Sequence, residues 1–195
     1  MRKLRNTYYV LRHGQTIYQT RKLAWMYPKI DSKRVKLTKK GEKQIKLVTK
    51  KLKRLKIDLI FSSDFFRTRQ TAKIVSRALA PKKVVFDKRL RDINLGVYMG
   101  GKKGSFYEHF PKKSKVRFTK TPHRGESWLQ CQRRIVGFLK KIDRKHKNKK
   151  VLIISHGDSL WLLEGRIKNW SQDKLLKEKK MSYINTGELR KLYGT

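Results

Sequence analysis

Apolar residues recur along the chain in two arrangements, as short runs of strand length and as longer segments with helical spacing. The short runs are rich in β-branched, aliphatic and aromatic side chains, a composition typical of buried strands. They predict strands at residues 7–11, 57–61, 84–86 and 151–154. The tail, residues 182–193, is a candidate for one more strand.

Helical periodicity fills the segments between these runs. From Thr38 to Leu55, apolar residues recur at helical spacing with lysines between them, and the Thr38 hydroxyl can cap the first turn. Further helices are predicted from the capping segment Ser62-Ser63-Asp64 to about Leu79, from Glu126 to about Lys145, and through Leu160, Leu163 and Ile167. Strands that alternate with helices form a sheet with helices on both faces. We therefore expect an α/β fold, a three-layer sandwich around a central, mostly parallel sheet.

Neither a linker nor an internal repeat interrupts this pattern, so residues 1–195 are interpreted as a single domain. Glycines and prolines concentrate in residues 96–122. Because both residue types interrupt regular elements, we expect an irregular, partly helical and lid-like excursion there.

The chain is strongly basic, with 53 lysines and arginines against 14 aspartates and glutamates in 195 residues and a formal net charge of +39. Such an excess attracts polyanions in a salt-dependent manner. However, the cations are spread along the whole chain, largely on the polar faces of the periodic segments, and no nucleic-acid-binding motif is present. We therefore expect nucleic acid to bind only through incidental electrostatic attraction.

Cysteine content and the length of the apolar runs bear on the compartment. Cys131 is the single cysteine, which excludes an intrachain disulfide and fits a reducing compartment. Because it falls on the apolar stripe of a predicted helix, it is interpreted as a buried structural residue. Apolar runs such as residues 151–154 are far shorter than the roughly 20 residues that a membrane-spanning helix needs. These features predict a cytoplasmic protein without a membrane span.

Two of the predicted strands end in closely similar sequences. Arg12-His13-Gly14 follows the first strand, and Ser155-His156-Gly157 follows the fourth. Ligands of open α/β sheets bind at the carboxyl ends of the strands, so both histidines are expected in one crevice. The glycine after each histidine allows another group to approach the backbone closely. Arg67, about one turn into the helix that follows the second strand, can reach the same crevice.

Two arginines and two histidines that converge form a pocket suited to a dianionic phosphoryl group, because one guanidinium group can donate hydrogen bonds to two phosphate oxygens at once. A single histidine at a strand end would be interpreted as a hydrogen-bonded surface residue, whereas the matched pair favours a site. The other histidines and the acids lack metal-ligand spacing, so no metal is expected. A histidine nitrogen can serve as the nucleophile of a covalent mechanism.

Several short blocks, in a fixed order along nearly the whole chain, resemble the signature of one enzyme family. They are Leu11-Arg12-His13-Gly14-Gln15-Thr16; Phe61-Ser62-Ser63-Asp64 with Arg67, Gln70, Thr71 and Ala72; Leu90-Arg91-Asp92 with Gly96 and Gly100; Gly125-Glu126-Ser127; Ser155-His156-Gly157; and Asn185-Thr186-Gly187. Together these blocks resemble the histidine phosphatase superfamily. The resemblance implies a phosphoglycerate mutase-like fold and phosphoryl transfer through a histidine, without a cofactor.

The resemblance also implies roles for individual residues. His13 is expected to attack phosphorus and become a phosphohistidine. The phosphoryl oxygens are expected to be bound by Arg12, Arg67 and His156. Thr16 and Gln19 are further candidates for phosphate contact, and Gln19 stands where the family motif often has asparagine.

A carboxylic acid is expected to protonate the leaving oxygen and then to activate water. In this branch of the family it is usually the glutamate of a Leu-x-Glu block, where this chain has Asp92. Asp92 is therefore the first candidate for the proton donor. Glu126 is the second candidate, although an acid there is also explained by the favourable charge of a helix N-terminus.

These observations lead to the hypothesis of a metal-independent phosphomonoester hydrolase that acts on a small phosphorylated substrate through His13. Two alternatives stay open at the level of sequence. One is a phosphomutase of the phosphoglycerate type, and the other is a catalytically weak protein of the same fold that binds anions or nucleic acid. The identity of the phosphomonoester and the oligomeric state are open as well.

Overall fold

The computed structural model describes residues 3–20, 24–28, 35–112 and 114–193. Within these ranges a five-stranded sheet is formed by β1 Thr7–Arg12, β2 Leu59–Ser62, β3 Val84–Phe86, β4 Lys150–Ser155 and β5 Leu189–Tyr193. The strands lie in the order β3-β2-β4-β1-β5. All neighbouring strands are parallel except β5, which pairs antiparallel with β1. The mostly parallel sheet that the sequence predicts is therefore confirmed.

Helices occupy most of the connections between the strands. In the described part of the chain they are α1 Ile17–Thr20, α2 Lys39–Leu55, α3 Phe66–Ala78, α4 Lys103–His109, α5 Val116–Thr119, α6 Trp128–Lys145, α7 Gly157–Ile167 and α8 Gln172–Met181. Residues 96–122, apart from Lys113 outside the described ranges, contain only the short helices α4 and α5 and a single 3-10 turn. This segment is irregular and partly helical, as its glycines and prolines indicate.

Alternate side chains of the central strands enter two separate cores. Val10 and Ile153 pack on one face with helices α6 and α7, whereas Leu11 and Ile154 pack on the other face with α2 and α3. Successive side chains of a strand point to opposite faces of its sheet, so the unbroken apolar run at residues 151–154 contributes to both cores. The predicted three layers are confirmed.

The ends of the two longest helices follow from local sequence. The side chain of Thr38 accepts a hydrogen bond from the backbone N–H of Gly41, as predicted for the N-cap of α2. At the start of α6, Ser127 and Gln130 form a reciprocal capping box, so this helix begins two residues after the predicted Glu126.

The start of α3 differs from the prediction. Its N-cap is Phe65, and no side chain caps the first turn. The carboxylate of Asp64 instead accepts two hydrogen bonds from Arg91, at 2.7 Å from Nε and 2.6 Å from Nη2. A paired, charge-assisted interaction of this kind is stronger than a hydrogen bond to one backbone amide. The capping role assigned to the segment 62–64 was therefore wrong.

The last quarter of the chain also departs from the sequence interpretation. Helix α8 was not predicted, because Leu175 is its only buried residue and gives no apolar periodicity. The tail strand begins only at Leu189, so the earlier part of residues 182–193 is not strand. In the ranges described, no helix combines the length and apolar character that crossing a bilayer requires.

Candidate active site

The carboxyl ends of β1 and β4 lie side by side, because Arg12 of β1 is in register with Ser155 of β4. The residues that follow are His13 and His156, and the centroids of their rings are 5.3 Å apart. Both side chains are buried. The register of the sheet therefore brings the two histidines into one site, as their positions at the strand ends predict.

The ring of His13 is fixed by its own backbone. Nδ1 lies 2.8 Å from the carbonyl oxygen of Gly14, and since a carbonyl only accepts, Nδ1 carries the proton. Nε2 then has the free lone pair that a nucleophile needs. Burial, with the added positive charges of Arg67 and Arg12, lowers the pKa of His13 well below its ordinary value. The ring is therefore neutral at physiological pH.

His156 is fully buried beside His13, and its two ring nitrogens lie near Ser63 and Asp92. Its Nε2 lies 2.9 Å from Oγ of Ser63, at the end of β2, and its Nδ1 lies 3.9 Å from Oδ2 of Asp92. Among the described residues this buried Nδ1 has no hydrogen-bond partner. Burial and the nearby cations lower the pKa of His156, so the ring is neutral. When Nε2 accepts from Ser63, Nδ1 carries the proton and can donate it to an anion.

Two guanidinium groups lie beside the histidines. Nη1 of Arg12 donates to the carbonyl oxygen of Ile184 at 2.8 Å, and the buried Nε of Arg12 has no hydrogen-bond partner in the described ranges. Nη2 of Arg67 lies 3.3 Å from Oδ2 of Asp92, and the ring of Tyr27 packs on its guanidinium at 4.2 Å. Guanidinium groups are positively charged, so both can stabilise negative charge on phosphoryl oxygens.

The carboxyl group of Asp92 is placed beside Arg67 and His156. Burial raises its pKa, an effect that Arg67 opposes and the neighbouring Asp158 strengthens. A carboxyl group with a raised pKa keeps its proton to higher pH, which suits a proton donor.

Glu126 has a different environment. One carboxylate oxygen accepts from the backbone N–H of Asn94 at 2.9 Å, and Arg134 donates to both oxygens. Glu126 lines a neighbouring pocket with Asp92, but it does not line the cavity that contains His13. Its carboxylate therefore ties α6 to the loop after Asp92.

Thr16 and Gln19 are hydrogen-bonded to each other outside the lining of the cavity that contains His13. Oε1 of Gln19 accepts from the backbone N–H of Thr16 at 2.8 Å and from its hydroxyl at 2.9 Å. The hydroxyl of Tyr27 lies 2.9 Å from Oγ1 of Thr16 and also bonds to the Gln19 amide. Tyr27 lines the cavity, whereas Thr16 and Gln19 do not. These two residues thus contact the tyrosine that packs on Arg67.

A cavity of about 330 Å³ opens at the strand ends. Of the residues singled out in the sequence, Arg12, His13, Arg67 and Asp92 line it. Sequence reasoning missed four charged residues of the lining, Lys112, Arg117, Asp158 and Lys179. Asp158 had a usable signal, because it directly follows His156-Gly157. The three cations had no usable sequence signal, since lysines and arginines occur throughout the chain.

Both glycines after the histidines are closely approached. A Cβ atom at Gly14 would collide with the carbonyl of Gly41 in α2, and one at Gly157 would collide with the hydroxyl of Tyr183. The close approach expected at these positions is confirmed.

Cys131 is fully buried next to α7, and burial raises its pKa to about 12. A protonated, inaccessible thiol is not a nucleophile, so the structural interpretation of Cys131 is confirmed. In the part of the chain that the structure describes, no group of three or more histidines, cysteines or acids could hold a metal ion.

Comparison with known proteins gives a match to the histidine phosphatase superfamily (branch 1) over residues 8–186. Phosphoserine phosphatase 1 of Hydrogenobacter thermophilus is 31% identical over 125 residues, which are 62% of this chain and 58% of that enzyme. The match thus spans little more than half of that relative. The probable phosphoglycerate mutase GpmB of Erwinia tasmaniensis is 33% identical over 163 residues, 82% of this chain and 73% of that protein.

Solved structures share the fold. A mycobacterial glucosyl-3-phosphoglycerate phosphatase superposes with a TM-score of 0.78 at 22% identity, over 94% of this chain and 90% of that one. Bacillus stearothermophilus YhfR also gives a TM-score of 0.78, at 27% identity over 94% of this chain and 89% of that one. Since the family match includes β1 with His13, β4 with His156 and the helices between them, this chain belongs to the histidine phosphatase superfamily.

Proposed function

We propose that this protein is a phosphomonoester hydrolase that needs no metal ion and forms a phosphohistidine on Nε2 of His13. The main support is that a neutral, buried histidine, two guanidinium groups and a carboxyl group with a raised pKa line one cavity. The positive charge that a metal would supply comes from Arg12 and Arg67. Membership of the histidine phosphatase superfamily favours the same chemistry.

In the first step, the lone pair on Nε2 of His13 forms a bond to phosphorus while the bond from phosphorus to the ester oxygen breaks. Asp92 gives its proton to that oxygen, so the leaving group departs as a neutral alcohol. The proton on Nδ1 stays hydrogen-bonded to the Gly14 carbonyl, which stabilises the positive charge that develops on the ring. Arg12, Arg67 and the Nδ1–H of His156 bind the other phosphoryl oxygens.

In the second step, the carboxylate of Asp92 takes a proton from water as the water oxygen attacks phosphorus. The bond between phosphorus and Nε2 breaks, and its electron pair returns to the His13 ring. Asp92 is protonated again, inorganic phosphate is released, and the net reaction is the hydrolysis of one ester bond.

We assign the proton transfer to Asp92 in preference to Glu126. Asp92 lines the cavity with His13, and its pKa is raised. Both oxygens of Glu126 already accept hydrogen bonds from Arg134, and Glu126 does not line the cavity that contains His13. Thr16 and Gln19, with no surface in the cavity, are assigned a positioning role through Tyr27.

The cavity of about 330 Å³ fits a small phosphorylated substrate, near the lower end of the usual range of ligand pockets. Relatives named phosphoserine phosphatase and glucosyl-3-phosphoglycerate phosphatase agree with a substrate of this class. The single buried cysteine supports a cytoplasmic location. Polyanions are expected to bind the +39 chain only through salt-sensitive attraction.

The test is phosphate release from 4-nitrophenyl phosphate with a chelator present, comparing the wild type with His13→Ala. We expect turnover to survive the chelator and to fall at least about 10³-fold in the variant, since the nucleophile is lost. His123→Ala, which removes an exposed histidine outside the cavity lining, is the matched control.

Rapid quenching should also trap a protein-bound phosphate that is stable in base and labile in acid, as expected for a phosphohistidine. Equal turnover in wild type and His13→Ala would refute the proposal. Interconversion of monophosphoglycerates that depends on added bisphosphoglycerate would identify a phosphomutase instead.

A further inference from the structure

A second group of charged residues lines the cavity, and it comes from helices and a loop outside the sheet. Arg117 comes from α5, Lys179 from α8, and Lys112 from the loop after α4. Asp158, in the first turn of α7, lies among them. We define these four residues as the far wall. None of them has a direct part in the phosphoryl transfer described above, although Asp158 contributes to the raised pKa of Asp92.

We propose that the far wall is a second anion subsite, so that the preferred substrate is a phosphomonoester whose leaving group has an additional negatively charged group. This inference rests on the proposed hydrolase activity, because it concerns the other end of the same substrate.

The two inner cations of the far wall are held in fixed positions. The guanidinium of Arg117 packs on the ring of Trp128 at 4.2 Å, and its side chain is only 8% exposed. The ammonium of Lys179 lies 4.1 Å from the centroid of the Trp161 ring and bonds to Asp158. Cations that are already desolvated and oriented lose little solvation or side-chain freedom when an anion binds. This distinguishes them from the exposed lysines of the surface.

Asp158 does not cancel the positive charge of the far wall. Its Oδ1 accepts from Lys179 and, at 2.7 Å, from the Tyr183 hydroxyl, while its Oδ2 lies 3.9 Å from Arg117. Burial alone would raise the pKa of Asp158, but Lys179 and Arg117 outweigh it and hold the pKa far below its usual value. One permanent carboxylate therefore faces two cations, the buried Arg117 and the half-buried Lys179, and the exposed Lys112 adds a third.

The charge of the whole cavity leads to the same conclusion. Among the described residues, five cationic side chains and two carboxylates line it, namely Arg12, Arg67, Lys112, Arg117 and Lys179 against Asp92 and Asp158. A phosphoryl dianion leaves an excess of positive charge, which is larger still when Asp92 is protonated. A second anionic group on the substrate would neutralise that excess inside a partly desolvated space, where charge interactions are strong.

The first experiment measures binding without turnover. Calorimetry compares methylphosphonate with phosphonoacetate and with methylenediphosphonate, which add a carboxylate or a second phosphonate to the same phosphonate group. We expect the wild type to bind at least one of the two-anion probes about tenfold or more tightly than methylphosphonate. One hydrogen bond to a charged group typically raises affinity by about that factor. The better probe indicates whether the second group is a carboxylate or a phosphate. Equal affinity for all three probes would overturn the proposal.

Variants locate the source of the preference. In the double variant Asp158→Asn/Lys179→Met, which removes both members of the ion pair and leaves the net charge unchanged, we expect the preference to fall several-fold. Lys112→Gln alters an exposed residue whose ammonium lies 4.7 Å from the centroid of the Tyr107 ring, and it should lower the preference about twofold. The matched control is Lys140→Gln, which removes the same charge from an exposed site in a separate pocket.

If Lys140→Gln lowered the preference as much as Lys112→Gln, diffuse charge would explain the result and the subsite would be refuted. Turnover separates the two proposals. Phosphoglycolate should exceed ethyl phosphate in kcat/KM by a ratio similar to the binding preference. Absence of turnover on every ester would refute the hydrolase, whereas turnover without any preference would refute only the second subsite.

Discussion

The two walls of the cavity differ in how the chain builds them. The strand-end wall consists of Arg12 and His13 at the end of β1, with Arg67 from the start of α3. Its geometry follows from the register of a buried parallel sheet. The far wall comes from a four-residue helix, a loop, a lysine-rich helix and, for Asp158, the first turn of α7. The comparison indicates that the sheet determines the reaction, whereas the connections determine what the phosphoryl group is attached to.

The two walls also differ in which of their residues are charged. At the strand-end wall, burial and the two arginines keep His13 neutral, and His156 beside it as well, so the positive charge lies on Arg12 and Arg67. On the far wall, an ionised Asp158 holds its two cations in place. Changes to the strand-end wall should therefore affect kcat, and changes to the far wall should affect the choice of substrate.

After the loss of His13 itself, the largest decrease in kcat is expected from Asp92→Asn. An amide cannot give a proton to the leaving oxygen, so kcat on an alkyl phosphate should fall by about 10²–10⁴-fold. In kcat/KM, which reports the phosphorylation step, the decrease on 4-nitrophenyl phosphate should be much smaller than on the alkyl phosphate, because nitrophenolate departs without a proton. The loss of the base in the second step lowers kcat on both esters. Steady-state kinetics on both esters measure the difference.

The same variant should change the pH profile of kcat/KM. Asp92 must be protonated in the first step, so activity should fall as pH rises through its raised pKa, and this limb should be absent in Asp92→Asn. His13 must be neutral, so the acid limb should lie below the ordinary histidine range, since the pKa of His13 is lowered. If Glu126→Gln removed the alkaline limb and Asp92→Asn did not, the role of proton donor would belong to Glu126.

A smaller effect is expected from Arg67→Lys, which keeps the charge of the strand-end wall but loses the planar fork. We expect kcat to fall about 10²-fold, in the range seen when one donor to a transition-state oxygen is removed. The preference for two-anion probes should be unchanged, because Arg67 does not belong to the far wall. Calorimetry on the same protein checks that point, and a lost preference would show that the two walls do not act separately.

The smallest effect is expected from Gln19→Ala. The hydroxyl of Tyr27 would lose one partner, and the ring would hold Arg67 less firmly. We expect a rise of about two- to fivefold in KM with little change in kcat, in line with the loss of one ordinary hydrogen bond. A decrease in kcat approaching that of Arg67→Lys would show that Gln19 itself contacts the reacting group.

Sequence reasoning succeeded where periodicity and strand ends control the structure. His13 and His156 could be placed together because parallel strands end at one edge of the sheet. Asp92 lies in irregular backbone, and only the resemblance to a family singled it out. Arg117 and Lys179 could not be recognised, because nothing in the sequence distinguishes them from the other lysines and arginines of the 53. Only their low exposure in the folded structure does so.

The position of β1 in the sheet has a consequence for the order of events during synthesis. Among the described strands β1 is synthesised first, yet its two neighbours are β4 and β5, which are synthesised last. The backbone N–H of Gly187 donates to the carbonyl oxygens of Arg12 and His13, and the Arg12 side chain donates to the carbonyl oxygen of Ile184. His13 therefore lacks the two neighbouring strands of β1 until residues 150–193 have been synthesised. Such long-range pairing is slow, so the phosphate-binding pocket is expected to be among the last features of the nascent chain to form.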